Sequence, residues 1–370
     1  MSVIGEVDFM AVCIRYGILS VILLIFSIKA VQAESDAQQD LLFFLNAGPV
    51  YHQITSEDGI EENDFTFGAG ILYSYLETDL RFLAEYFIST EESELERLQM
   101  GWQVDDDVIG WLGRFHSPSL YWNSVYHHGR YLQTSISRPL AEKFEDEGGV
   151  FPTHVSGFMF EGGYKLQGMS AIQSTLSFGL TSVIDDHGLV PFDLLDANNK
   201  SKNAVDVRIA YLTDQLGENQ FGLTMSWASL VVGDNDVAVQ QGLQRVDQSK
   251  VGAYVDWSMQ EWRILSNLTY INNQMINQLQ NKTDSFSTAY FQAEYKVDHD
   301  WIFFGRVEDT YSADNSDYLQ LFPSAIVERE MLGLRFDFYK NHALTVEFSN
   351  IKLQSGDFGQ AWLQWSAVFP

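Results

Sequence analysis

The stretch DLRFLAEYFI, Asp79–Ile88, decides how the rest of the chain is read. Leu80, Phe82, Ala84, Tyr86 and Ile88 share one face of an extended chain, with Arg81 and Glu85 on the other, because successive strand side chains point to opposite sides. The same period of two recurs along the sequence. Leu98, Met100, Trp102 and Val104 oppose Arg97, Gln99 and Gln103. Phe221, Leu223, Met225 and Trp227 oppose Gly222, Thr224 and Ser226, and Leu332, Leu334, Phe336 and Phe338 oppose Arg335 and Asp337. Aromatics and glycine are plentiful and proline is scarce, and no later stretch is apolar enough for a transmembrane helix.

Segments of about ten residues with one apolar and one polar face are the signature of a membrane barrel. A soluble sandwich would bury the apolar face equally well. Aromatics near segment ends, at Tyr73, Tyr75, Trp111, Phe115, Trp301 and Tyr339, favour lipid, since interfacial girdles form there. About sixteen segments run from near 41–53 to near 359–369, and barrels of that size leave an aqueous channel. The even count follows if both termini lie on the periplasmic side. Connections alternate between tight turns (Glu77-Thr78, Asp106-Asp107) and long polar stretches at 54–63, 117–153, 184–202, 233–247, 274–285 and 312–325. The expectation is an all-β fold: one transmembrane antiparallel β-barrel over 34–370.

The N-terminus reads as an export signal over 1–33. Gly17–Ile28 is an apolar run of signal-peptide length, and Val31-Gln32-Ala33 offers a cleavage site after Ala33. Met10 is an alternative start, since Glu6 and Asp8 spoil the positive leader that Arg15 would otherwise supply. Cys13, the one cysteine, lies in this leader, so the mature chain is expected to hold no disulfide and no thiolate metal site.

The chain ends in another alternating segment: Ala361, Leu363, Trp365, Ala367 and Phe369 against Trp362, Gln364, Ser366 and Val368, followed by Pro370. It resembles the C-terminal targeting strand of Gram-negative outer-membrane barrels, which closes on an aromatic residue. The connection 117–153 follows the fifth strand and is the longest. A long third extracellular loop at that place in a sixteen-stranded barrel is similar to the constriction loop of trimeric porins, which folds into the barrel and sets its narrowest point. The resemblance implies a homotrimer in the bacterial outer membrane, placed by the barrel-assembly machinery among lipid and lipopolysaccharide, passing small hydrophilic solutes and ions.

The net charge of −28 does not by itself make such a pore cation-selective. Polar faces carry Arg81, Arg97, Arg114, Lys165, Arg208, Lys250, Arg263, Arg306 and Arg335 against Glu85, Glu161, Asp206, Asp256, Glu308, Asp337 and Glu347. The wall is nearly balanced, so the excess acid falls in loops and turns, where a solvated rim is its plainest use. An acidic chain without basic patches gives nucleic-acid binding no support.

Within 117–153, Tyr121 and Trp122 supply apolar mass to pack on the wall, and Arg130 adds a charge. Glu145, Asp146 and Glu147 then bring three acids together. With Arg81, Arg97 and Arg114 inward on consecutive strands, the expected constriction sets acids across from arginines and creates a transverse field. The bland reading is that those arginines pair with neighbouring carboxylates such as Glu85.

Four of the eight histidines, His116, His127, His128 and His154, fall in or beside this connection. Adjacent histidines project apart on an extended chain, and no i, i+4 pair or nearby carboxylate completes a site in the sequence, so the expectation is no metal and no cofactor. Ser117 or Ser119 with His116 or His154 is the nearest approach to a nucleophile pair. No G-x-S-x-G elbow, zincin motif or phosphate loop is present, and no enzymatic activity is expected. The reading is an outer-membrane porin. The alternatives are a sealed structural or adhesive barrel and, behind it, an outer-membrane hydrolase.

Overall fold

The computed structural model describes residues 37–370 apart from 55–60, 91–92, 127–128, 146, 186–187, 193–199, 214–218, 234 and 278–279. The leader with its cleavage site, His127, His128 and Asp146 lie outside the described residues.

The first seven strands are β1 (Gln38–Ile54), β2 (Glu61–Glu77), β3 (Leu80–Ser89), β4 (Ser93–Asp105), β5 (Val108–His116), β6 (His154–Lys165) and β7 (Ala171–Leu180). A small hairpin of β8 (Val183–Asp185) and β9 (Gly188–Val190) follows, and β8 adds parallel to the end of a later strand, with Val183 beside Val231. The series resumes with β10 (Asn203–Leu212), β11 (Gln220–Val232), β12 (Leu243–Met259), β13 (Trp262–Asn277), β14 (Lys282–Lys296), β15 (Trp301–Tyr311), β16 (Ile326–Asp337), β17 (His342–Leu353) and β18 (Asp357–Phe369).

Each long strand pairs antiparallel with the next, β7 pairs directly with β10, and β18 pairs with β1 through Phe43 and Phe369. Sixteen strands therefore close into a barrel with no free edge. The start of β1 and the end of β18 lie at the rim that carries the tight turns, where Thr78 and Gln260 take left-handed φ of 48°. The long connections gather at the opposite rim.

Exposure decides between lipid and water. On β11, Leu223 is 58% and Met225 54% exposed, whereas Thr224 and Ser226 between them are 4% and 8%. Leu332 on β16 is 71% exposed while Arg335 is buried. Apolar side chains out and polar ones in is the inverse of a soluble domain, and only a hydrocarbon surround satisfies it.

Three departures from strict alternation matter for the interior. Trp111 and Phe115, expected at the lipid interface, are turned inward and buried; the Trp111 indole donates to Glu161 at 2.7 Å. A Cβ on the opposing Gly101 would fall 2.5 Å from the Trp111 ring, so the glycine makes the room. On β4 the pairing with β3 slips between Glu85 and Tyr86, skipping Glu96, and this bulge leaves both Glu96 and Arg97 buried. On β5, Gly113 has φ of 138°, and a Cβ there would lie 2.1 Å from the Leu98 carbonyl oxygen, so no other residue fits this kink before Arg114.

Candidate functional site

Residues 117–153 leave β5 and re-enter β6 through a closed neck, where the Ser117 N–H donates to the Thr153 carbonyl at 2.7 Å. Between those points the chain forms a short helix, Tyr121–Tyr126, and two single 3-10 turns, Arg130–Leu132 and Leu140–Glu142. Its irregular backbone exposes amides and carbonyls that must find partners where bulk water is scarce. The polar faces of distant strands supply them. Glu347 of β17 accepts from the Ile136 and Ser137 amides at 3.0 and 3.2 Å, and Glu308 of β15 accepts from the Leu140 amide at 2.8 Å. Arg306 donates to the Ser137 carbonyl at 3.1 Å, Arg335 to the Tyr131 carbonyl at 2.8 Å, and Arg329 to the Arg138 carbonyl. Many of the inward charges thus solvate the backbone of this one segment.

Its aromatic side chains pack on the wall of β12 and β14. Tyr121 stacks on Tyr254 with centroids 4.2 Å apart and donates its hydroxyl to Asp256 at 2.7 Å. Trp122, 1% exposed, meets Tyr290 edge-on and donates to Gln133 at 2.8 Å. Burial, with Asp256 beside it, raises the Tyr121 phenol pKa and keeps it a donor. Glu142 is wholly buried nearby, and burial pushes its pKa up to about 8 against the pull of Lys250 and Arg138.

On the other side of the segment, toward β1–β3 and β16–β18, lies a cavity of about 340 Å³. The segment contributes Arg130, Arg138, Lys143 and Glu147 to it, and the wall contributes Arg329, Asn46, Gln360 and Trp362 among others. Four cationic side chains face one carboxylate there. Arg138, Lys143 and Arg329 carried no signal of their own in the sequence, although Arg329 shares the parity of Arg335 and was legible as inward on that ground.

The expected site residues fall into separate groups. Arg97 pairs with Glu85 at 2.6 Å, Arg114 pairs with Glu94, and Arg81 donates to Gln103 at 3.1 Å. Glu145 accepts from the Thr153 amide at 2.6 Å and from Ser182 at 2.8 Å, and meets His154 Nδ1 at 2.9 Å. Glu147 pairs with Arg130 at 2.6 Å and lies 3.8 Å from Arg138. Arg97, Arg114 and Glu147 each meet an opposite charge locally, whereas Arg81 meets the neutral amide of Gln103. Ser117 bonds Ser119 at 2.8 Å and Asp206 at 2.9 Å, while His116 Nδ1 faces the Asn123 carbonyl at 3.1 Å, so these serines and histidines are engaged elsewhere than with one another.

No family model matches the sequence, and no curated protein resembles it closely enough to be matched. Solved structures do. The anion-selective porin from Comamonas acidovorans superposes with a TM-score of 0.60 at 13% identity over 90% of this chain and 100% of its own. The outer membrane channel DcaP of Acinetobacter baumannii gives 0.59 at 11% identity over 91% of this chain and 99% of its own. The outer membrane protein OmpT of Vibrio cholerae, in its trimer form, gives 0.54 at 10% identity over 90% and 99%. The chain has the fold of the Gram-negative outer-membrane porins, a closed sixteen-stranded antiparallel barrel.

Proposed function

We propose that this protein is an outer-membrane porin through which small hydrophilic solutes diffuse passively, narrowed by residues 117–153 folded into the barrel. The observation that carries the reading is the set of hydrogen bonds from Ile136, Ser137 and Leu140 to Glu347 and Glu308, strands far from the one that the segment leaves. The passage runs between the segment and β1–β3 and β16–β18. Because Arg130, Arg138, Lys143 and Arg329 line it against Glu147, it favours anions despite the acidic rim. Arg81, Arg97 and Arg114 contribute less, since they lie outside the lining of this cavity. The reading includes export by the 1–33 leader, assembly as a homotrimer and no covalent chemistry.

A unit charge about 8 Å from an ion's path in water is worth roughly 0.5 kcal/mol before salt screening. Replacing Arg130, Arg138 and Lys143 by glutamine should therefore shift the chloride-to-potassium permeability ratio, read from the reversal potential in a KCl gradient, several-fold toward cations. The Arg81→Gln/Arg97→Gln/Arg114→Gln triple should move it less. Equal shifts, or a larger one from the second triple, would place the filter at the β3–β5 arginines instead.

A second reading, a sealed barrel, draws on the packing of Leu140, Val150 and Phe151 with Tyr318, Leu319 and Phe322 of the connection 312–325. They belong to one buried apolar cluster, which under this reading plugs the lumen. Under this reading, folded protein would insert into a bilayer without conductance steps.

A further inference from the structure

Three side chains from three adjacent strands meet under the neck of the 117–153 segment. The β5–β6 register sets His116 opposite His154, and the β4 bulge turns Glu96 inward to join them. His154 Nε2 lies 2.9 Å and His116 Nε2 3.9 Å from the same Glu96 oxygen, and the three donor atoms all lie within 4.8 Å of one another. All three residues are buried, Glu96 completely, and the Phe144 ring covers both imidazoles with centroids 5.1 and 5.7 Å away.

The far side of each ring is what distinguishes this cluster from a chance meeting. The Asn123 carbonyl can only accept, so His116 carries its proton on Nδ1 and presents the Nε2 lone pair to Glu96. Glu145 accepts the Nδ1–H of His154 and is itself fixed by the Thr153 amide and the Ser182 hydroxyl, so the Nε2–H that His154 gives to Glu96 at 2.9 Å is the proton a metal ion displaces. An imidazole that gives its second N–H to a carboxylate or a backbone carbonyl is the usual arrangement of a metal-ligating histidine. Charge agrees. With Arg97 on Glu85 and Arg114 on Glu94, the two carboxylates Glu96 and Glu145 meet two imidazoles, a balance that a divalent cation completes.

We propose that Glu96, His116 and His154 bind one divalent transition-metal ion, zinc by the character of the ligands, which ties the neck of the segment to the wall of the barrel. Two imidazoles and a carboxylate suit zinc and its neighbours in the first row rather than calcium or magnesium. Bonds of roughly 2.0–2.2 Å in a tetrahedron separate ligand atoms by about 3.4 Å. The 2.9 and 3.9 Å spacings reach that with shifts of about 0.5 Å, and the third, which lies within 4.8 Å, closes with at most about 1.4 Å of side-chain movement. Water is the natural fourth ligand.

The test uses full-length, untagged protein folded in detergent, stripped with chelator and equilibrated with Co2+, the spectroscopic stand-in for zinc. Wild type should take up about one Co2+ per chain, with the intense visible bands of a four-coordinate ion. The His116→Ala, His154→Ala and Glu96→Gln variants should lose it, and Glu145→Gln should weaken it about 10- to 100-fold. The His127→Ala/His128→Ala double variant should keep it. Folding of each variant is read from its heat-modifiable gel mobility. Should a ligand variant fail to fold, the wild-type spectrum and Glu145→Gln carry the test. No Co2+ band in folded wild type, or binding that vanishes in the His127→Ala/His128→Ala variant and persists in His154→Ala, overturns the proposal. Neither result depends on whether the barrel conducts.

Discussion

Glu142 sits in an environment that disfavours a charge. Burial raises its pKa from 4.5 to about 8, so the folded state holds a proton there that the unfolded chain releases. A native state that binds more protons than the unfolded one loses stability as pH rises, here from about 4.5 through about 8. The contribution is complete at acid pH and gone in alkali. Raising the pH past 8 should therefore loosen the seat of the 117–153 segment, read as faster proteolysis within it. Glu142→Gln should flatten that pH dependence. An unchanged profile in the variant would assign the effect to another group. At this scale the sequence was only half legible. Alternation along β4 gave Arg97 as inward and, by the same rule, Glu96 as outward; the bulge that turns Glu96 inward leaves no mark in residue type. Trp111 shows the converse, since its type suggested the interface and the glycine opposite admitted it to the core.

At the scale of elements, the segment 117–153 and the wall charges form one structure. Glu308 illustrates the coupling: it accepts from Leu140 and pairs with both Arg306 and Arg329. Glu308→Ala leaves two buried guanidiniums without that carboxylate, and such losses cost about 3–5 kcal/mol. The temperature at which the folded gel band converts should drop well below that of wild type, and a matching temperature would show that the interior reorganises freely. Deletion of 121–147 should leave an intact barrel with several-fold higher conductance. No rise would mean that the segment does not limit the passage. The length and position of this connection were plain in the sequence, as was its aromatic content. Its partners were not, because Glu347 and Glu308 lie about two hundred residues along the chain from the amides they bind, and nothing local in sequence encodes a contact across a closed sheet.

On the scale of the whole molecule, the alternation that began with Asp79–Ile88 accounts for nearly everything about the barrel. Sixteen strands, short turns at one rim and long connections at the other follow from a strict period of two and from the residues that interrupt it. The β8–β9 hairpin escaped because three-residue strands carry no periodic signal. The net charge of −28 belongs to this scale as well. Under the proposed reading it sets the potential at the rims, whereas the cations around the 340 Å³ cavity would set it at the narrow point. An ion must cross both, and the narrower region, with less water to screen it, should dominate.

The measurement that bears most directly on this account is planar-bilayer recording of the folded protein under a KCl gradient. It should show discrete conductance steps, closing in threes, with a reversal potential of the sign for chloride preference. Verified folded protein that enters the bilayer and yields no steps would contradict the porin reading and leave the sealed barrel in its place.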